Sequence, residues 1–176
     1  MTLVAITGTP GTGKSTVADE LRSRGYAVVD LKRHIIENGL MGDLDEERDT
    51  HEVDLDALND SLEVYHGEGL TFMEGHLSHY MDCSTIIVLR CSPQVLARRL
   101  RERGYSERKI RENVQSEILD VILCEATDGE IPVFEIDSTG LDVADTADAI
   151  EKIVKGEGDD YLPGVTDWSR EMEAWF

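Results

Sequence analysis

Residues 3–16 read Leu-Val-Ala-Ile-Thr-Gly-Thr-Pro-Gly-Thr-Gly-Lys-Ser-Thr, and this stretch decides the fold. Leu3 to Ile6 form an apolar run of strand length. Gly8 to Ser15 satisfy the pattern G-x-x-x-x-G-K-[ST], a P-loop, placed between a strand and a helix as its mechanism requires. Glycines let the backbone curl so that successive N–H groups point inward around a β-phosphate, and the following helix adds its N-terminal dipole. Lys14 then reaches the β- and γ-phosphates as a point charge, and the Ser15 hydroxyl can hold magnesium. Thr16, one turn into the helix, can reach the α-phosphate. The competing account is a glycine-rich turn that caps a helix by chance, and the full pattern in its proper context argues against it. The segment predicts binding of ATP with Mg2+.

Outward from the loop, strands and helices alternate. A helix is predicted from Lys14 to about Arg24, a strand over Tyr26–Val29 and helical residues over Leu31–Glu37. Gly39–Thr50, acidic and marked by glycine, predicts a loop. Apolar residues at 55, 58, 62 and 65 predict one helix over Val53–Tyr65. Leu70–Met73 and Thr85–Leu89 are near-continuous apolar runs, as expected of strands buried on both faces. Ser92 with Pro93 marks a helix start, and this helix runs towards Arg103. Gly104-Tyr105-Ser106 breaks it, and Ser106 caps a long helix to about Ala126. Pro132–Ile136 is the fifth strand, Asp137–Gly140 a loop and Asp142–Val154 the last regular helix. Such alternation implies a three-layer α/β/α P-loop fold with a five-stranded parallel sheet. The whole of 1–176 reads as one domain with a tail from Gly156.

A P-loop alone leaves several activities open. The chain has no Asn-Lys-x-Asp guanine motif, and it is short for a transporter or helicase ATPase. Arg98, Arg99, Arg101, Arg103, Arg108 and Arg111 cluster around the Gly104-Tyr105 break in an otherwise acidic chain. Phosphoryl transfer is mainly positioning and cationic clamping, so an arginine-bearing helix–turn–helix lid that closes over phosphates fits a nucleoside or nucleotide kinase. The alternative is a charged solvent face with i,i+4 pairs.

Acidic residues outnumber basic ones 37 to 17, for a formal charge of -20. Such a surface repels nucleic acid, which excludes broad nucleic-acid binding. It suits solubility in concentrated salt, where screening removes self-repulsion, and otherwise a basic protein partner. Cys83, Cys91 and Cys124 are odd in number and lack disulfide or zinc spacing. Leu3–Ile6 is too short for a signal peptide, and no stretch reaches the ~20 apolar residues of a membrane helix. The expected location is the cytoplasm, without membrane attachment.

With these pieces placed, the chain resembles the small adenylate-kinase-like ATPases typified by the coilin-interacting nuclear ATPase and its archaeal counterparts, also called the adenylate kinase isoenzyme 6 type. The matching pieces are Gly8 to Thr16, Asp30-Leu-Lys-Arg33, Glu74-Gly-His76, Val88-Leu-Arg90 and Arg99-Leu-Arg-Glu-Arg-Gly-Tyr105. Asn113–Glu117 and Glu125-Ala-Thr127 continue the match, which covers about 1–127 well. The resemblance implies an adenylate-kinase fold with a monophosphate-binding segment near 30–50 and a short lid near 102–112. It also implies ATP + AMP giving two ADP, an ATPase activity, and a role in maturing the small ribosomal subunit, with a small-subunit ribosomal protein as partner. Gly11, Gly13, Lys14, Ser15, Thr16 and Arg103 match the family's ATP-binding positions, and Arg33 falls where a monophosphate-binding arginine is expected. Glu74 and His76 fall on the family's acidic-x-His element, where Asp is commoner at the first position; Glu74 would meet magnesium through water.

The remaining residues admit two accounts each. His76, at the C-terminal end of a strand, could position a water or acceptor oxygen, or be a structural histidine. Asp30 could pair with Arg33 or touch ligand. His34, His51, His66 and His79 lack metal-ligand spacing and read as surface residues. Tyr105 could pack or contact adenine. Trp168 and Trp175 read as pins that hold the tail to the core, the alternative being an exposed aromatic tail that docks a partner. A kinase of a small metabolite such as shikimate or gluconate shares the P-loop and short lid and stays open beside the nucleotide kinase.

Overall fold

The computed structural model describes residues 2–45, 50–67 and 69–176. In chain order the first elements are β1 (Thr2–Thr7), α1 (Lys14–Ser23), β2 (Ala27–Asp30), α2 (Leu31–Glu37), β3 (Met41–Asp45), β4 (Thr50–Val53) and α3 (Leu55–Ser61). Then follow β5 (Leu70–Glu74), β6 (Thr85–Arg90), α4 (Pro93–Glu102), α5 (Glu107–Ile118), α6 (Val121–Thr127), β7 (Val133–Asp137), α7 (Val143–Val154) and α8 (Met172–Trp175).

Side-chain alternation along a strand explains the layers. In β1, Leu3 and Ala5 enter one core, Val4 and Ile6 the other, and all four are buried. A strand with no solvent face needs helices on both sides. Leu31 and Ile35 of α2, Leu58 of α3 and Leu123 of α6 cover the first face, while Val17 and Leu21 of α1 with Ala147, Ile150 and Ile153 of α7 cover the second. The five central strands run parallel in the order β2-β5-β1-β6-β7. Glu74 pairs in register with Ile6 on one side and Asp30 on the other. The carboxyl ends of β2, β5 and β1 therefore meet at one edge, where α/β sheets bind ligands.

A third core joins α4 and α5 through Leu96, Leu100, Ile110 and Val114, with Tyr105, Trp168 and Trp175 packed against it. Tyr105 is thus a packing residue, and Gln115 Nε2 donates to the Trp175 carbonyl at 2.7 Å, which fastens the tail as the two tryptophans suggested.

Three elements differ from the expected ones. The 39–50 loop contains β3, which pairs antiparallel with β4 in a separate two-stranded sheet; residues 46–49 of it lie outside the described residues. The helix over 53–65 is shorter: Asp54 caps α3 by accepting from the Asp56 and Ala57 amides, and Leu62–Tyr65 tighten into a 3-10 turn. The long helix after the lid breaks at Asp120, which adopts a left-handed φ of 55°. Arg90 explains the break, because its guanidinium binds both the Glu117 carbonyl and the Asp120 carboxylate at the end of α5. Pro93 does open α4, but Ser92 makes no side-chain cap bond there.

Candidate active site

Gly8, Gly11 and Gly13 have φ of 141°, 94° and 103°, a left-handed course that turns the P-loop back on itself. A Cβ on Gly8 would lie 2.4 Å from the Leu89 carbonyl oxygen, so the loop touches β6 as closely as backbone allows. Gly13 meets no neighbour and is required by its φ alone.

Lys14 opens α1 and is 9% exposed. Its Nζ donates to the Gly8 carbonyl at 2.6 Å and the Thr9 carbonyl at 3.1 Å. Burial pulls its pKa down to about 8; the Glu74 carboxylate opposes that shift, Arg103 reinforces it and Glu117 opposes it. Glu74, 6% exposed at the end of β5, has its pKa raised by burial and then by Asp30. Lys14, Arg22 and a hydrogen bond from the Ser15 hydroxyl pull the other way. His76 is exposed, yet the protein around its ring desolvates it enough to lower its pKa, helped by the charge of Lys14 and by His79 and Lys32. The imidazole is therefore neutral at pH 7.

Lys14 is thus the hub at the carboxyl edge of the sheet, coupled to Glu74, His76 and Arg103, while Ser15 acts on Glu74. Arg33 does not join them. Its side chain is 74% exposed and pairs with Glu37 at 2.6 Å. Asp30 caps α2 by accepting the Arg33 amide at 2.9 Å, and its charge acts on Glu74 beside it.

Beside the loop lies a cavity of about 330 Å³, lined by Gly11, Gly13 and Thr16 at the loop and start of α1, Arg99 of α4, Arg103 after it, and Ser138, Leu141, Asp142 and Val143 after β7 among others. That volume lies within the range of small-molecule sites. Its lining mixes the charged Arg99, Glu102, Arg103 and Asp142 with the apolar Val17, Leu89, Leu141 and Val143, a combination that suits a flat, partly polar ring. The Ser15 hydroxyl and Glu74 carboxylate are hard oxygen donors of the kind magnesium takes. Among the described residues no group of three or more His, Cys, Asp or Glu could hold a metal.

Two histidines expected at the surface are buried. His34, 7% exposed, joins α2 to α3 through Ser61 Oγ at 2.8 Å. His79, 6% exposed, lies 3.0 Å from the Thr7 hydroxyl through Nδ1 and 3.2 Å from Glu125 through Nε2. Desolvation lowers the His79 pKa against the pull of Glu125. The neutral tautomer with Nε2–H donating to Glu125 and Nδ1 accepting from Thr7 satisfies both bonds. His66 is half-buried, and the side chain of His51 lies outside the described ones.

The largest group that sequence reasoning missed is Arg90. At 1% exposure it donates to Glu117 at 2.8 Å and to Glu135 at 2.7 Å, and it also pairs with Asp120. Burial works against its charge, yet Glu117 and Asp120 together raise its pKa. Two signals pointed to it. An arginine ends an otherwise apolar strand, and Glu117 follows Ile110 and Val114 on the apolar face of α5, so each needed a buried partner.

The fold and the site define a P-loop phosphotransferase of the kinase type. A family model described as AAA domain matches residues 4–120. A protein of Archaeoglobus fulgidus named "Putative adenylate kinase" is 42% identical over 174 residues, covering 97% of this chain and 94% of that one. One of the same name from Methanocaldococcus jannaschii is 39% identical over 170 residues, covering 96% and 93%. The crystal structure of shikimate kinase from Bacteroides thetaiotaomicron superposes with a TM-score of 0.60 at 18% identity, covering 88% of this chain and 98% of that one, which reflects a shared fold. The chain belongs to the family of these archaeal adenylate-kinase relatives, as the Glu74-Gly-His76 and lid motifs implied.

Proposed function

We propose that the protein transfers the γ-phosphoryl group of ATP to a nucleoside monophosphate, with AMP as main acceptor, giving two ADP. The observation that carries this reading is the grouping of Glu74 and Arg103 around Lys14 of the P-loop, with Arg103 also lining the adjoining cavity. The base of ATP occupies the cavity, and the loop amides with Lys14 grip the β- and γ-phosphates. Ser15 and, through water, Glu74 would hold magnesium, which would supply neutralising charge to the phosphates. An oxygen of the acceptor phosphate attacks the γ-phosphorus while the bond to the β–γ bridging oxygen breaks, and ADP leaves with that electron pair. Arg103 steadies the charge spread over the migrating group. Neutral His76 positions the acceptor oxygen, or a water when hydrolysis replaces transfer. The segment near 30–50 receives the monophosphate, with Arg33 released from Glu37 to meet its phosphate, and 102–112 closes as the lid. In this reading residues 1–176 act as one kinase domain.

Incubation of purified protein with ATP and each nucleoside monophosphate, shikimate or gluconate tests the proposal. ADP should accumulate fastest with AMP. Transfer only to a small metabolite, or to nothing despite normal ATP binding, would remove its support. Replacement of His76 by alanine should lower kcat by roughly a hundredfold with ATP affinity intact, and turnover at full rate would discard its role.

The pH dependence has two limbs. Because kcat/KM reports the free enzyme, it should fall as pH rises through about 8, where Lys14 loses its proton. It should also fall on the acid side, at a pH above the usual carboxylate range, as Glu74 gains one. A profile flat from neutrality to pH 9 would contradict the assignment of Lys14.

The charge of -20 favours a second, compatible reading: an ATP-switched assembly factor in small-subunit maturation that grips a basic ribosomal protein through its acidic face. Pull-down from extract with and without ATP tests it, and recovery of no ribosomal protein in either state counts against it. Among the described residues no helix is long and apolar enough to cross a membrane, and we place the protein in a salt-rich cytoplasm. Its Tm should then rise by about 10 °C from about 0.1 M to about 3 M KCl as screening relieves self-repulsion. An unchanged Tm would argue against that environment.

A further inference from the structure

One buried carboxylate ties the phosphate-binding loop to the helix after the lid. Glu117 of α5 is 3% exposed. Its Oε2 accepts the Thr9 hydroxyl at 2.6 Å, and its Oε1 accepts Arg90 Nε at 2.8 Å and the Cys91 amide at 3.1 Å. Arg90 also donates to the Glu117 carbonyl at 3.0 Å, so backbone and side chain of this residue are fixed together.

The other end of the contact lies in the P-loop. The Thr9 carbonyl accepts from Lys14 Nζ at 3.1 Å and from the Thr12 hydroxyl at 2.8 Å. Phosphate binding requires Lys14 to leave that carbonyl for the polyphosphate. The Thr9 peptide then loses its charged donor, and the short bond from its hydroxyl to Glu117 becomes its charge-assisted anchor. Thr9 is 2% exposed, so water does not replace that bond. The neighbouring lid helix makes a parallel contact, since Arg99 of α4 donates to the Gly11 carbonyl at 3.2 Å. The turn that carries Arg103 is therefore hung between two helices, each bonded to the loop that holds the phosphates.

We propose that Glu117 is a positioning residue for phosphoryl transfer: through the Thr9 hydroxyl it registers the P-loop against α5, so that the phosphates meet Arg103 in one geometry. This rests on the nucleotide-kinase reading above. A purely structural Glu117 would serve only Arg90 and the Cys91 amide, and substitutions at Thr9 separate the two cases because they remove neither partner. Thr9→Val keeps the shape and removes the hydroxyl, whereas Thr9→Ser keeps the hydroxyl.

MgADP affinity by calorimetry and kcat with ATP and AMP should be measured on folded wild type, T9V and T9S. T9V should weaken MgADP about tenfold and lower kcat by a further factor of about ten, with T9S close to wild type in both. Thr9→Ala serves the same end should the valine variant not fold. Wild-type affinity and kcat in T9V, or equal loss in T9V and T9S, would overturn the proposal. The MgADP arm needs no acceptor, so absence of turnover in the wild type with normal MgADP binding would sink the kinase reading alone.

Discussion

Lys14→Ala should lower kcat/KM for ATP by about a thousandfold and remove most MgADP affinity, while the protein should melt no lower than wild type. The first part follows from placement. Lys14 opens α1 at the P-loop, and with 9% exposure its ammonium acts where water screens little. Loss of one preorganised donor in such a site costs about 10²–10³ in rate, and Lys14 also contributes to ground-state binding. The second part follows from the sign of its pKa shift. The folded-state value of about 8 lies below the ordinary 10.5, so the charged lysine opposes folding fully below about pH 8. That cost is relieved as pH rises from about 8 towards 10.5. Its removal at pH 7 therefore separates function from stability. Calorimetry with MgADP, paired with a melting curve, reads both, and wild-type affinity in the variant would refute the role of Lys14. Lys14→Arg should rescue little, because a planar fork replaces a point charge.

Arg90→Ala is the largest expected loss of stability, about 3–5 kcal/mol. The side chains of Arg90, Glu117 and Glu135 are 2%, 3% and 0% exposed, and removal of the cation leaves two buried carboxylates facing each other. Breakage of a buried pair from one side carries that cost. The effect spreads because Arg90 also binds the α5 carbonyl at Glu117, and Glu135 accepts the tail amide of Gly164 at 2.7 Å. In urea the midpoint should fall by a large fraction with a similar slope. Arg101→Ala, which removes a solvent-exposed pair with Glu107, should leave the midpoint in place. Similar midpoints for both variants would show that the Arg90 cluster does not support the fold.

These two residues mark what the sequence made legible. Lys14 lies in a local pattern whose geometry follows from its own glycines, and the apolar runs around it named the strands. Asp120 and Arg90 depend on partners 30 residues apart in the chain, which no window of periodicity contains. For the same reason α5 and α6 read as one helix. His79 could not be distinguished from a surface histidine until Thr7 and Glu125 were seen on either side of it. β3 and β4 escaped notice because Met41-Gly-Asp-Leu-Asp45 is polar and glycine-bearing, without the alternation that marks a half-buried strand. At the candidate site, the P-loop, Glu74, His76, Arg99 and Arg103 were named from the sequence, whereas Ser138, Leu141, Asp142 and Val143 after β7 entered only with the cavity they line. Arg33 was named from its motif, but its guanidinium turns to Glu37.

The claim on which the account depends is that two nucleotides meet across the carboxyl edge of this sheet, phosphate to phosphate. Titration with two adenosines joined by a five-phosphate chain, with Mg2+ present, tests it most directly. The account predicts one ligand per chain with an affinity at least about a hundredfold above that of MgADP, since one linker replaces a second binding event. An affinity no better than that of MgADP would mean that the second site does not exist.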